Sequence, residues 1–466
     1  MKYVRLTMKL LAIILLLVAL ITNDFLPFPY LLGIGVVEIL LLLLVWKRKI
    51  LQIFVVLVML LSSFALLYTE NIIARLVTYD PLQVNSVSFF TLKDSSILTV
   101  KSAVNKRIAS SSLVEEALND LILDELRDEG HTGELITYSG IYEGIELLYA
   151  GEIDVLVLDE AYLDTIMDVD PDFLTKTKVV WAIENTVEKE VLNPDIDITS
   201  EPFTILVIAN DNYGSISKNG RSDVNLLMTI NPIKHTIDMV TIPRDAYVHN
   251  MYYSNYDNNM DKLTHTGTRG ALNTVRTVEN LFNMKINYFI RLNFSSFLNI
   301  IDAIGTIDVH NTYAFTETSS TTGTPIYFPV GDLTLNAMEA FRFVRERKVF
   351  TDGDIQRGRN QQEVIKGMIK EMTKLSTLSR IDSIVSAVAG TIETNVTPKE
   401  IMAVARQQIQ NLDFGWTLTG HTLKGTNALE GTITMGFNKP LYVIHLNADS
   451  LAEVRASLMA NLEVGE

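Results

Sequence analysis

Three apolar runs crowd the first 70 residues, at positions 10–23, 25–46 and 50–69, with only Asp24 between the first two and Glu38 inside the second. A chain that begins this way must place those runs where water does not compete for their surface. The last run has 20 residues without a charge, and at about 1.5 Å per residue it reaches across a hydrocarbon core of about 30 Å. The first run, preceded by Lys2, Arg5 and Lys9, also has the layout of a signal peptide, but no small-residue cleavage site follows it and two more runs do. Three spans are therefore expected. Lys2, Arg5 and Lys9 precede the first run, Lys47, Arg48 and Lys49 separate the second from the third, and the 23–29 turn has no basic residue. Basic loops stay cytoplasmic, so the N-terminus is expected inside and everything after Thr69 outside the cell membrane. Glu38 reads either as a functional carboxyl or as a helix-interface residue.

The remaining length divides by charge. Residues 1–70 carry six Lys and Arg against three Asp and Glu, residues 71–200 carry 9 against 25, and residues 201–466 carry 24 against 27. No segment after the apolar runs has the basic balance that a phosphate backbone requires, so no nucleic-acid partner is expected. The chain has no cysteine. Disulfides, thiol nucleophiles and Cys-ligated metals are thereby excluded, and any chemistry must rest on carboxylate, hydroxyl, imidazole or guanidinium groups.

Within the acidic stretch, apolar residues at 113, 114, 117, 118, 121, 122 and 126 have the spacing of an amphipathic helix. Residues 141–149 predict a second helix with Gly151 at its end, and 155–158 a buried strand. The acids Asp159, Glu160, Asp164, Asp168, Asp170 and Asp172 suggest a calcium loop, but the required Gly and Glu positions are missing, and the run reads as a solvated acidic face. Polar residues between Pro194 and Pro202 mark a boundary near 200. The expected division is a three-span anchor over 1–70, an acidic accessory domain over 71–199, and a catalytic domain over 200–466, with 396–466 either completing its sheet or forming a small appended unit.

After that boundary, residues 203–209, 224–230 and 236–242 are rich in Val, Ile, Leu and Thr and nearly continuous in hydrophobicity, as expected of strands covered on both faces. Helical patterns follow at 268–282, 294–303, 336–344 and 354–375. The order predicts an α/β three-layer sandwich, a central sheet flanked by helices. Polar residues gather at the strand ends: Asp211 after the first, Arg221 and Asp223 before the second, Arg244 and Asp245 after the third. Ligands of layered α/β proteins favour such ends. Singly, each also reads as a turn, a cap or a local ion pair.

A denser cluster follows. Residues 341–359 contain Arg342, Arg345, Arg347, Arg357 and Arg359, with Lys348, against Glu346, Asp352 and Asp354. Guanidinium forks match phosphate oxygens two at a time, which points to an anionic, phosphate-bearing ligand; a structural ion-pair network is the competing reading. Arg345 and Arg347 share a side if the chain leaves its helix extended, and Arg357 and Gln361 share a helical face.

The strings IANDNYG, GRSDVNLLMTINP, MVTIPRD, DKLTHTGTRGA, FRFVRERK and GDIQRGRNQQEVI occur in that order. In sequence and spacing they resemble the motifs of the LytR-CpsA-Psr (LCP) family, and the anchor and middle region resemble its streptococcal capsule-type CpsA members. The DKLTHTGTRGA stretch departs from the pattern of many members, which carry an Asn and a Tyr-rich, double-Gly run there, so the resemblance assigns no contacts to that loop. The resemblance implies an extracytoplasmic phosphotransferase that takes a glycopolymer, such as capsular polysaccharide, from undecaprenyl pyrophosphate and joins it to peptidoglycan. It implies that Arg244, Arg345 and Arg347 grip the pyrophosphate and that Arg221, Arg357 and Gln361 line the head-group pocket. It implies that Asp211 and Asp223 hold a magnesium ion (Mg2+), or that one of them deprotonates the acceptor hydroxyl. It also implies a polyprenyl groove, for which Phe294, Phe297, Ile300 and Ile301 compete with an ordinary core role. Two alternatives stand beside transfer: hydrolysis of the carrier's pyrophosphate, and the transcriptional regulator of the family's historical name, which would need the opposite topology.

Overall fold

The computed structural model describes residues 2–22, 28–45, 47–73, 82–114, 116–133, 135–210, 216, 219–318, 324–378, 384, 390–411 and 415–464. Three helices open the chain: α1 (Lys2–Thr22), α2 (Phe28–Leu44) and α3 (Lys49–Ile73). Ala12, Leu16, Leu42, Val45, Val55, Val56 and Met59 bury one another where the three meet. Outward-facing residues such as Ile14, Leu40, Phe54 and Phe64 stay exposed. Among the described residues, one window, Lys49–Leu67 with a mean hydropathy of 2.7, is long and apolar enough to cross a membrane; the apolar parts of the other two, Leu6–Thr22 and Pro29–Leu44, are shorter.

The middle region forms a five-stranded sheet from β1 (Leu82–Leu92), β2 (Ile108–Ser111), β3 (Ile136–Tyr138), β4 (Val155–Asp159) and β5 (Thr177–Glu188), in the order β3-β2-β4-β1-β5. Helices α4 (Glu116–Asp128), α5 (Ile141–Tyr149) and α6 (Leu163–Val169) cover it. The expected helix at 141–149 and strand at 155–158 form there, and Gly151 sits just beyond α5 at φ +70, a left-handed position that suits a residue without Cβ.

A six-stranded mixed sheet follows. Its strands are β6 (Phe203–Asn210), β7 (Ser222–Asn231), β8 (Thr236–Ile242), β9 (Tyr288–Asn293), β10 (Glu393–Thr394) and β11 (Thr417–Thr422), ordered β10-β9-β6-β7-β8-β11. Alternate residues of β6 point to opposite faces. Leu206 and Ile208 pack with Val275, Val278 and Phe282 of α7 (Ala271–Phe282) and with Val454 and Leu458 near the C-terminus. Ile205 and Val207 take the other face, with Ile365, Ile369 and Ile401. The near-continuous hydrophobicity of these strands thus reflects helices on both sides. A second cluster joins α8 (Phe294–Ile304), α9 (Ala337–Arg345) and α10 (Asp354–Met372) through Ile301, Ile304, Phe343, Val364 and Met368. Near the C-terminus come α11 (Pro398–Gln410), a hairpin of β12 (Gly425–Thr432) and β13 (Gly436–Leu446), and α12 (Ala448–Leu462). Of the C-terminal strands, β11 extends the six-stranded sheet beside β8, while the hairpin forms a sheet of its own, tied to the loop after β8 by the Ile444 amide donating to the Asp245 carbonyl at 2.8 Å.

Register explains why chemistry collects at one end. β9 runs parallel to β6 with Asn293 opposite Asn210, and β7 runs antiparallel to both β6 and β8 with Asn225 opposite Ile242. The ends of β6, β8 and β9 and the start of β7 therefore share one edge of the sheet.

The two sheets are joined by specific contacts. The hairpin turn supplies Thr434 and Met435 carbonyls to the Ile141 and Tyr142 amides at the first turn of α5, each at 3.1 Å. Those donors have no partner inside a helix, so the turn caps it from a distant part of the chain. Arg269 lies buried between the rings of Tyr162 and Tyr252, 5.2 and 4.8 Å from their centroids, and donates to Asp159 at 3.0 Å and to the Leu113 carbonyl at 3.2 Å.

Candidate functional site

A cavity of about 340 Å³ opens at the shared sheet edge, and its lining has two characters. Arg221, Asp223, Arg244, Arg345, Arg347, Arg357 and Gln361 form one part; Phe294, Phe297, Ile300, Phe341, Val364 and Met368 are among the side chains of the other. Residues more than 100 positions apart in sequence thus converge on one hollow.

Asp223 is the pivot of the charged part. At the start of β7, it accepts from Arg244 Nη1 and from Thr264 Oγ1, both at 2.8 Å. Burial alone would raise its pKa, but Arg244, Arg221, Arg357 and the Thr264 hydroxyl outweigh that and hold it at about 2. The carboxylate is ionised at any physiological pH. Arg244 takes Asp223 as its near partner rather than its sequence neighbour, because Asp245 lies 3.9 Å from the Arg244 Nε and pairs with Lys262. The local pairing considered for Arg244 and Asp245 gives way to a longer-range one.

The arginine cluster divides according to backbone geometry. α9 starts with a capping box between Asn336 and Glu339 and ends at Arg345, and Glu346 adopts φ −67, ψ 132. That extended step sends Arg345 and Arg347 to the same side and Glu346 to the other. Glu346 is fully buried and accepts from the amides of Arg347 at 2.9 Å and Lys348 at 2.8 Å, as well as from Thr318. It is the anchor of the turn that presents the two arginines. The guanidinium of Arg345 sits 4.7 Å from the ring of Phe294 and 4.9 Å from that of Phe341, held by stacking. Neither Arg345 nor Arg347 has an ion pair among the described residues. Arg357 and Gln361 share one face of α10 and both line the cavity, with Arg357 paired to Asp354. Arg342 and Arg359 turn elsewhere: Arg342 pairs with Glu317 at 3.1 Å and Arg359 with Asp352 at 3.0 Å. The structural-network reading is right for those two.

Asp211 lies outside the described residues. Ile301 packs in the core, as an ordinary helix residue would, whereas Phe294, Phe297 and Ile300 line the cavity. Four contributors were not legible as such in the sequence. Thr264 comes from the DKLTHTGTRGA stretch, Glu346 reads there as a balancing acid, and Phe341 marks only the start of the arginine-rich stretch. The fourth is Asp168, taken as part of a solvated acidic face; it lines the cavity and contacts Arg221. A clue lay in the E of R-E-R, since an acid flanked by two cavity arginines needs its own buried partners.

Such a site can hold a doubly charged anion at one end and an apolar chain at the other. Comparisons with known proteins give the family and its relatives. The LytR_cpsA_psr family model matches residues 173–442. The chain is 30% identical over 270 residues to the polyisoprenyl-teichoic acid–peptidoglycan teichoic acid transferase TagU of Bacillus subtilis, covering 56% of this chain and 79% of that protein. It is 29% identical over 287 residues to TagV of the same organism, covering 60% of this chain and 70% of that one. The crystal structure of B. subtilis TagV superposes with a TM-score of 0.47 at 27% identity, over 57% of this chain and 99% of TagV.

Proposed function

The chain belongs to the LytR-CpsA-Psr family, and from that membership we propose that it is an extracytoplasmic phosphotransferase moving a wall glycopolymer from a polyprenyl (undecaprenyl) pyrophosphate carrier to peptidoglycan. The observation that carries this reading is the two-ended cavity. Five arginines, 221, 244, 345, 347 and 357, face it at one end and aromatic and aliphatic side chains at the other, which fits a diphosphate joined to a polyprenyl tail.

Transfer requires an acceptor hydroxyl of peptidoglycan to attack the phosphorus nearer the polymer. The new O–P bond forms as the P–O bond to the second phosphate breaks, the hydroxyl proton leaves, and polyprenyl phosphate departs. Little covalent work falls to the protein, and its task is to hold the groups in line and neutralise charge on the phosphate oxygens. Arg345 and Arg347, without acidic partners among the described residues, are available for that, with Arg244 braced by Asp223. A carboxylate held at a pKa of about 2 is a poor proton acceptor, so Asp223 serves in this reading as the brace rather than the base.

Of the two carboxylates this reading assigns to Mg2+, Asp223 is the one described, and among the described residues no group of three or more His, Asp and Glu is placed to hold a metal. Asp223 is ionised and each of its oxygens has one described partner, which leaves lone pairs for a cation that prefers carboxylate plus phosphate oxygens. Asp223, with Asp211, would hold the ion, and bound magnesium would add charge neutralisation at the diphosphate.

The topology completes the proposal: three spans over residues 1–70, an accessory domain over 71–199, and a catalytic domain over 200–466 outside the cell, with capsular polysaccharide as the candidate polymer. Confinement of enzyme and lipid carrier to one leaflet raises their effective concentration for each other. The test is product analysis with the full chain in liposomes, a synthetic polyprenyl-pyrophosphate oligosaccharide and peptidoglycan fragments. Oligosaccharide linked to the glycan strand is expected; free oligosaccharide phosphate would replace transfer with hydrolysis.

A further inference from the structure

The middle region reaches into the cavity at one point. Helix α6 ends beside the sheet edge, and Asp168 near its C-terminus both lines the cavity and contacts Arg221 Nη1, which also faces the Asp164 carbonyl at 3.5 Å. Two features make this pairing unlike that of Asp223 with Arg244. The Asp168 side chain is 59% exposed while that of Arg221 is 8% exposed, so the acid keeps most of its hydration and can swing away at little cost. Asp223, in contrast, is enclosed with Thr264 and cations around it. The backbone beneath Asp168 is nonetheless fixed, because Ile166 is fully buried, Tyr162 bonds to Tyr253 at 2.9 Å and Asp159 holds Arg269.

We propose that Asp168 is a displaceable counter-anion: it occupies Arg221 in the empty cavity and yields that guanidinium to an incoming diphosphate, making the middle region a determinant of substrate affinity. The inference rests on reading the cavity as a diphosphate site. A ligand with two or more negative charges outbids a single, solvated carboxylate for Arg221, since it engages the other arginines at the same time. The exchange also leaves no buried cation bare at any stage.

The experiment is calorimetric titration of the full-length chain in detergent with inorganic pyrophosphate, for the wild type, Asp168→Asn, Arg221→Ala, the double variant and Arg345→Ala. Asp168→Asn should bind roughly two- to five-fold more tightly, the scale of a partly exposed ion pair. That gain should vanish when Arg221→Ala is the background. Unchanged or weaker binding by Asp168→Asn overturns the proposal, and so does a gain that persists without Arg221, which would mean general repulsion instead. If Arg345→Ala weakens binding while Asp168→Asn does nothing, the diphosphate reading stands and only the counter-anion falls. If neither the wild type nor Asp168→Asn binds pyrophosphate, both fall together.

Discussion

Arg345 illustrates how much a single side chain depends on what braces it. Its guanidinium is stacked by Phe294 and Phe341, and its backbone leads into a turn tied down by Glu346. Arg345→Ala and Arg347→Ala are each expected to lower transfer on the order of 100-fold, the usual loss for one preorganised donor at a charged centre. Arg345→Lys should not restore the rate, because an ammonium cannot reproduce the planar fork or the stacking; initial rates with a synthetic lipid-linked donor decide both points. Wild-type rates for both alanine variants would remove the two arginines from the site. Asp223 carries a pH prediction. Its folded pKa of about 2 lies below the ordinary 3.8, so its contribution to stability is complete above about pH 4 and is lost as pH falls from there toward 2. Melting temperatures between pH 5 and 2 should fall less steeply in Asp223→Asn than in the wild type, and parallel curves would mean that this pairing does not stabilise the fold.

At the level of elements, the hairpin turn between β12 and β13 and the Arg269 loop dock the middle sheet against the catalytic one. Gly140 and Gly436 approach so closely there that a Cβ on Gly140 would collide with the backbone of Gly436. Gly140→Ala should pry the turn from the α5 amides and cost about 1–3 kcal/mol, as overpacking does, read from denaturant unfolding. Arg269 is only 6% exposed and its partner Asp159 8%. Arg269→Ala removes the charge partner of a buried carboxylate, with an expected cost of about 3–5 kcal/mol. Asp159→Asn in the same chain should recover part of that loss; strict additivity of the two changes would show that the pair does not interact.

For the whole molecule, topology is the open quantity, and the absence of cysteine makes it measurable. Single cysteines introduced at Lys2, Asp24, Lys47 and Ser200 can each be probed in intact cells with an impermeant maleimide. Three spans predict labelling at 24 and 200 but not at 2 or 47, whereas a single crossing by α3 leaves position 24 protected. Much of this architecture was written in local pattern. Apolar runs set α1, α2 and α3, runs rich in Val, Ile, Leu and Thr set β6, β7 and β8 to within two residues, and helical periodicity set α5, α8 and α9, because burial and backbone propensity act over a few neighbouring residues. The arginine cluster was also visible as an excess of basic over acidic residues between 341 and 359. What sequence left undivided was which guanidiniums face the cavity, since Arg342 and Arg359 look the same as Arg345 and Arg347 until Glu317, from an earlier segment, and the nearby Asp352 claim them. Thr264, Asp168 and the hairpin turn belong to the same class. Their roles arise from contacts between segments far apart in the chain, and such contacts exist only once strand register has brought the ends of β6, β7, β8 and β9 to one edge.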